Sequence, residues 1–227
     1  MSDGNSRSVQ SNQTGLHENL DKVVRKHLQH PSRKPVSEHT QLAFEQAQQW
    51  LGDWQGPLIL DSCCGVGEST AVIAASHPDA KVIGVDKSAL RTGRHSKAYQ
   101  GDTDNYLVLR ADLNDFWRLA HQAGWQLSHH YLLYPNPWPK SMHLKRRWHG
   151  SAAFADLLKL GGKLTLRSNW KLYLEEFSRA LAIAGYESRL CECDHARPAI
   201  TPFERKYRGS GQSTWELNCL MDSPVAG

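Results

Sequence analysis

From Pro57 onward the chain alternates between short apolar runs and longer amphipathic ones, and this alternation constrains the fold more than any other feature. "LILDS" reads as a strand and "ESTAVIAASH" as a helix. "KVIGVD" with "SALRTGRHSKAY", and "YLVLRAD" with "NDFWRLAHQAG", repeat the pair. "HHYLLYP" is a fourth strand, followed by a helix over about 143–159, and "KLTLRSN" is a fifth, followed by the helical "WKLYLEEFSRALAIAG". The early strands are Leu-rich or β-branched, as strands are when helices cover both sheet faces. Such repeated units give a mostly parallel, doubly wound sheet. "YESRLCEC" and "STWELNCL" end the chain as two more strands with no helix-length segment between them. The expectation is an α/β fold with seven strands, the last entering antiparallel.

The chain before Pro57 reads differently. Residues 1–15, "MSDGNSRSVQSNQTG", are polar and rich in Gly, Ser and Asn, a composition that predicts disorder. A short basic helix is predicted from Leu16 to about Leu28, broken by Pro31 and Pro35. Ala43, Ala47, Trp50, Leu51 and Trp54 recur at helical spacing and predict an amphipathic helix over about 38–53. The domain expectation is a disordered, basic extension over 1–35 and one globular domain over 36–227, long enough to bury a real core.

The five cysteines are odd in number and fit no zinc spacing, so a reduced, cytoplasmic protein without a metal site is expected. Cys191 and Cys193 share a strand face and read as core filler. No run of 18 apolar residues occurs and the N-terminus lacks a signal-peptide core, so neither membrane insertion nor export is expected. The net charge is only +4, but the cations cluster. One group is Lys22, Arg25, Lys26, Arg33 and Lys34; a second runs from Lys140 to Arg147; a third is Arg205, Lys206 and Arg208. Any one run is an ordinary solvated face. Three runs, two of them beside aromatic or Pro-rich loops, point to an anionic partner such as nucleic acid.

"LDSCCGVGEST", residues 60–70, leaves the first strand and opens the first helix. Gly65 and Gly67 let the backbone turn sharply and approach a ligand. The run is neither a dinucleotide fingerprint, since Cys63 occupies the first glycine position, nor a P-loop. Asp61 stands at the first strand's carboxyl end, where open α/β sheets bind ligands. Asp86 ends the second strand, 19 residues after Gly67, where an acid can take two ribose hydroxyls. Asp112 ends the third, placed to meet an adenine amino group. Each acid is also a natural helix cap, yet three in register favour one crevice. An acidic, phosphate-free crevice suits S-adenosylmethionine.

"YLLYPNPWPKSMHLKRRW", residues 131–148, joins a buried strand to a stiff aromatic loop and a cationic patch. Alone it reads better as a rigid turn, with Trp138 as a core plug. With "DSCCGVG" before it and "TPFE", residues 201–204, after it, the chain resembles the tRNA (guanine-N7)-methyltransferase family. That family carries E-x-G-x-G-x-G, F-P-D-P-W-x-K-x-x-H-x-K-R-R and T-x-F-E at these places. The resemblance covers about Asp61 to Leu220. It implies a Rossmann-like class I methyltransferase fold over 36–227, with tRNA as partner; a monomer or weak homodimer is the expectation for the working form. It implies that Asp61, Gly65, Gly67, Asp86 and Asp112 hold S-adenosylmethionine, and that Asn136 sits at the reacting centre. By the same resemblance Lys140 and Asn169 face the substrate, and Thr201 and Glu204 line the pocket for the methionine end or the base. "NPW" resembles the aromatic loop of amino-methyltransferases, which puts Trp138 against the base, and the cations Lys145, Arg146 and Arg147 are expected to meet phosphates.

Two departures matter. Asn136 and Asn169 stand where the family has Asp, which leaves two alternatives beside 7-methylguanosine formation. One is a related methyltransferase acting on an exocyclic amine, since Asn can accept from one. The other is a tRNA-binding paralogue without catalysis.

Overall fold

Four parallel strands, β1 (Leu58–Ser62), β2 (Lys81–Asp86), β3 (Tyr106–Arg110) and β4 (His129–Leu133), stand beside β5 (Lys163–Ser168), which is parallel to β4. Two more, β6 (Ser188–Glu192) and β7 (Trp215–Leu220), complete a seven-stranded sheet in the order β3-β2-β1-β4-β5-β7-β6. β7 runs antiparallel to both of its neighbours, as the sequence predicts. The computed structural model describes residues 6–30, 32, 34–98 and 104–222.

The helices are α1 (Leu20–Gln29), α2 (Glu38–Leu51), α3 (Glu68–Ser76), α4 (Ala89–Ala98), α5 (Leu113–Gln122), α6 (Phe154–Lys159), α7 (Lys171–Ile183) and α8 (Pro202–Gly209). Alternation along the strands sorts their side chains onto two faces. Leu58 and Leu60 of β1, with Ile83 and Val85 of β2, join one large core that includes Phe44, Phe116, Trp117, Phe154, Tyr173 and Phe177. Ile59, Val82 and Leu133 face a smaller cluster with Ile73 and Ala74 of α3. Each fully buried Leu or Phe in these clusters contributes roughly 1.5–3 kcal/mol.

Three expectations are corrected. The stretch after β4 is not one helix over about 143–159 but two 3-10 turns, Ser141–Arg146 and Trp148–Gly150, followed by the short α6. Gly150 explains the break: a Cβ there would meet the Leu144 carbonyl oxygen at 2.2 Å. Between β6 and β7 lies α8, which "TPFE" starts as a capping box with proline in the first turn. Thr201 Oγ1 accepts from the Glu204 N–H at 2.9 Å. Cys191 is exposed and Cys193 half-buried, so neither fills the core.

The extension over 1–35 is not wholly disordered. Residues 1–5, Pro31 and Arg33 lie outside the described residues. Within the rest, α1 buries Leu20 and Val24 in the large core, because Leu20, Val23, Val24 and Leu28 fall on one helix face. Residues 6–17 hydrogen-bond to segments far away in sequence.

Candidate active site

The strand order reverses between β1 and β4, and a cavity of about 520 Å³ opens at the carboxyl ends of these strands. This is where an open α/β sheet leaves room for a ligand, and the volume is that of a small-molecule site. One wall comes from the β1–β3 tips and carries Cys63, Asp86 and Asp112. The other carries Tyr134, Asn136, Trp138, Lys145 and Arg146.

The first wall is held by its own backbone turn. Gly65 and Gly67 take left-handed conformations (φ 63° and 78°), and no atom lies within 4 Å of where a Cβ on Gly65 would stand. Gly65 N–H donates to Asp86 Oδ2 at 3.2 Å, while Ser88 N–H donates to Asp86 Oδ1 at 2.8 Å. Arg91 reaches the same oxygen at 3.2 Å. Asp112 caps α5 by accepting from Asn114 N–H at 2.9 Å and also lines the cavity, so capping and ligand reach coexist in one residue. Asp61 lies beneath the turn, fully buried, accepting from Ser69 and Thr70 hydroxyls at 2.6 and 2.7 Å. Burial pushes its carboxyl up to about 6 against those two hydrogen bonds. Its second oxygen has no partner. Burial and the nearby Asp86 push the Cys63 thiol up to about 12, so it stays protonated and is no thiolate nucleophile.

The open space over Gly65 and the two carboxylates on the cavity wall test the fit of the expected cofactor. Asp86 and Asp112 face the cavity and can accept from a hydroxyl-rich ligand, whereas Asp61, Gly65 and Gly67 do not line it, Asp61 bracing the turn from below through Ser69 and Thr70. The wall therefore fits S-adenosylmethionine.

The second wall is strained. Tyr134 and Trp138 both have positive φ (52° and 46°), rare for aromatic residues and characteristic of over-determined functional loops. Asn136 is exposed, and its Oδ1 accepts the Trp138 N–H at 3.3 Å. Arg146 stacks on the Trp138 ring at 4.8 Å, and His143 meets that ring edge-on at 5.5 Å. Phe203, 42 % exposed at the first turn of α8, stacks with Tyr207 and lines the cavity.

Several residues expected to face the substrate are elsewhere. Arg147 is fully buried and paired with Glu176, so it is not a phosphate contact. Glu204 is fully buried between Arg167 and Arg208, and Thr201 is buried as the cap of α8. Asn169 donates to Gln212 at 3.0 Å and Lys140 is exposed beyond the cavity, of which neither forms a wall. Conversely, Tyr134, Phe203, Tyr207, Lys87 and Arg91 line the cavity without having been expected. Phe203 and Tyr207 were findable: they sit four apart on the helix that "TPFE" begins.

Among the described residues no helix is long and apolar enough to cross a membrane, and no group of three or more metal-ligating side chains forms. The family profile described as "Putative methyltransferase" matches residues 55–217. The tRNA (guanine-N(7)-)-methyltransferase of Saccharophagus degradans is 29% identical over 170 residues, covering 71% of this chain and 74% of that protein. The protein of the same name from Pseudomonas aeruginosa is 31% identical, covering 72% of this chain and 70% of its own length. In fold, the 16S rRNA methyltransferase KamB superposes with a TM-score of 0.57 at 16% identity, covering 84% of this chain and 98% of that one. The antibiotic-resistance methyltransferase Kmr does so with 0.54 at 18%, covering 87% and 98%. The two-walled cavity thus sits on a methyltransferase fold, and the chain belongs to the tRNA (guanine-N(7)-)-methyltransferase family.

Proposed function

We propose that this protein transfers a methyl group from S-adenosylmethionine to N7 of a guanine in tRNA. One observation carries the reading: Asp86 and Asp112 share a single cavity with Asn136, Trp138 and Arg146. A hydroxyl-accepting wall faces an aromatic, cationic wall across one ligand-sized space. The cofactor supplies an electrophilic methyl group on a sulfonium.

The chain's residues supply position and charge. Asp86, its own backbone bonds already set, holds the ribose hydroxyls, and Asp112 meets the adenine. Trp138 stacks on the target base with Arg146 behind it. Lys145 and Arg146, both exposed, hold the RNA backbone. Guanine N7 has a free lone pair, so no group need remove a proton, and positioning carries much of the rate. The protein works where tRNA is, in the cytoplasm, as a monomer or weak homodimer.

The exocyclic-amine alternative needs the Asn136 carbonyl oxygen to accept from the substrate. That oxygen takes the Trp138 N–H at 3.3 Å with one of its two lone pairs, so the product of the reaction decides between the two readings. The deciding experiment incubates the protein with total tRNA and isotope-labelled S-adenosylmethionine, then identifies the modified nucleoside by mass spectrometry. Labelled 7-methylguanosine is expected. A labelled N-methyladenosine or N-methylcytidine overturns the N7 assignment. Cofactor binding without any labelled nucleoside overturns the catalytic reading.

A further inference from the structure

Residues 6–17 tie together segments that flank the cavity's substrate side. Ser6 N–H donates to Ser210 Oγ at 3.0 Å, and Gln212 Nε2 donates to the Ser6 carbonyl at 2.7 Å, just past α8. Farther along, Ser11 Oγ donates to the Pro139 carbonyl at 2.6 Å. Asn12 exchanges two hydrogen bonds with Ser141, at 3.2 and 3.0 Å. Gln13 then enters a buried charge cluster: its amide nitrogen donates to Glu176, and its amide oxygen accepts from Arg147 Nη2 at 3.1 Å. His17 N–H donates to the same Glu176 oxygen at 3.0 Å.

Arg147 spends its remaining donors on the loop. Nε donates to the Trp138 carbonyl at 3.2 Å and Nη2 to the Lys140 carbonyl at 3.3 Å. The carbonyls of Trp138, Pro139 and Lys140 are therefore each met by a side chain of Arg147 or of the N-terminal segment. Three prolines leave the loop short of donors of its own: the Lys140 carbonyl also takes the His143 N–H at 2.9 Å, while the Trp138 and Pro139 carbonyls are met from Arg147 and Ser11. Trp138 holds a backbone conformation that a bulky residue does not keep unaided. Residues 6–17 form no part of the cavity wall, so the segment does not plug the site.

We propose that Gln13, Arg147 and Glu176, with Ser11 and Asn12, are positioning residues that lock the Pro137–Lys140 loop so that Trp138 faces the target base. The inference rests on the methyl-transfer reading of the cavity. Freed from the strap, the loop spends only a fraction of its time in the competent form, and apparent substrate affinity falls by that fraction.

The triple variant Ser11→Ala, Asn12→Ala, Gln13→Ala tests this without touching the cavity. Amide exchange at Trp138 and His143, whose N–H groups are bonded within the loop, is expected to speed up about tenfold or more, with β1 and the Gly65–Gly67 turn unchanged. The KM for tRNA is expected to rise about tenfold with kcat within about threefold, and cofactor affinity to stay within about twofold. Restoring a hydroxyl with Ser11→Thr in place of Ser11→Ala recovers part of the protection. Unchanged exchange at Trp138 and His143 overturns the proposal, whatever happens to turnover. Arg147→Lys, which keeps a charge opposite Glu176 but not the fork, is expected to expose the same amides. Should that variant fail to fold, the triple variant decides alone. A wild-type protein that makes no 7-methylguanosine ends the functional reading, while the exchange experiment still judges the strap.

Discussion

The two walls of the cavity are built on different plans. On the wall assigned to the cofactor, Asp61 is bonded by residues 8 and 9 positions away, and Asp86 by Gly65, 21 away, and Ser88, 2 away. Behind the wall assigned to the substrate, Arg147 meets Glu176 29 positions on, Ser11 meets Pro139 128 positions on, and Ser6 meets Gln212 206 positions on. The cofactor side is held mostly by local bonds, its longer reaches being Asp112 N–H to Thr40 Oγ1 and Arg205 to Glu68. A distributed grip has to close long loops before its hydrogen bonds are made. The substrate wall is therefore the part expected to loosen first under stress.

The largest test of this contrast is Arg147→Met. It leaves the Glu176 carboxylate buried without its guanidinium, and urea denaturation is expected to show a loss of about 3–5 kcal/mol. His149 remains as the other partner at 3.0 Å, and together His149 and Arg147 outweigh burial in holding the Glu176 carboxyl down to about 2. A loss below about 1 kcal/mol would show that the distributed wall does not depend on its buried charges.

Next in size is Asn136→Asp. A carboxylate about 4 Å from a full charge is worth roughly 4 kcal/mol at an effective dielectric of about 20. With half of the charge developed in the transition state, the gain is about 2 kcal/mol, or about thirtyfold in single-turnover rate on guanine. Unchanged turnover would mean that the loop's role is purely geometric.

The cofactor wall can be probed by pH. Burial lowers His130 to about 3 from 6.5, so between those values the unfolded chain holds a proton that the folded chain lacks, and stability falls as pH drops. Asp61, raised to about 6 from 3.8, has the opposite sign: the folded chain binds its proton first, and stability rises as pH drops through that window. The two oppose one another between about pH 6 and 3.8. Asp61→Asn is expected to unmask His130 and steepen the acid-side loss by up to about 1.4 kcal/mol per pH unit, read from melts across that range. No change of slope would mean that Asp61 is ionised throughout.

The smallest expected effect is the salt dependence of tRNA binding. Lys145→Ala and Arg146→Ala are each expected to flatten the slope of log affinity against log salt by somewhat under one unit. Equal flattening by Arg147→Met, which removes the charge, would contradict the buried placement of Arg147 and return it to the RNA surface.

The same contrast explains what could be read before the fold was known. Strand–helix alternation, the antiparallel last strand and the glycine turn with Asp86 and Asp112 all rest on spacings of a few to some twenty residues. Arg147 could not be told from Lys145 and Arg146, because three adjacent cations look alike until 3-10 turns aim one of them inward. Its partner did leave a signal. Glu176 falls on the apolar face of α7 beside Tyr173, Phe177 and Ala180, where an acid has to be paired. Residues 6–15 looked disordered for a related reason. Their Ser, Asn and Gln side chains bury little apolar surface, but they serve as donors and acceptors for a proline-rich loop more than a hundred positions away. Composition carries no record of such matches.

The place of β7 has a consequence for synthesis. It is the last strand in the sequence, yet it lies between β5 and β6 and bonds to both. A chain leaving the ribosome can pair β1 to β5 early, but β6 then waits as an unattached ribbon until residues 215–220 emerge and slide in beside it. Only then can Gln212 reach Ser6, so the first residues made are among the last to be fastened. A nascent chain halted before residue 215 would keep its glycine turn but leave both β5 and β6 without their antiparallel neighbour.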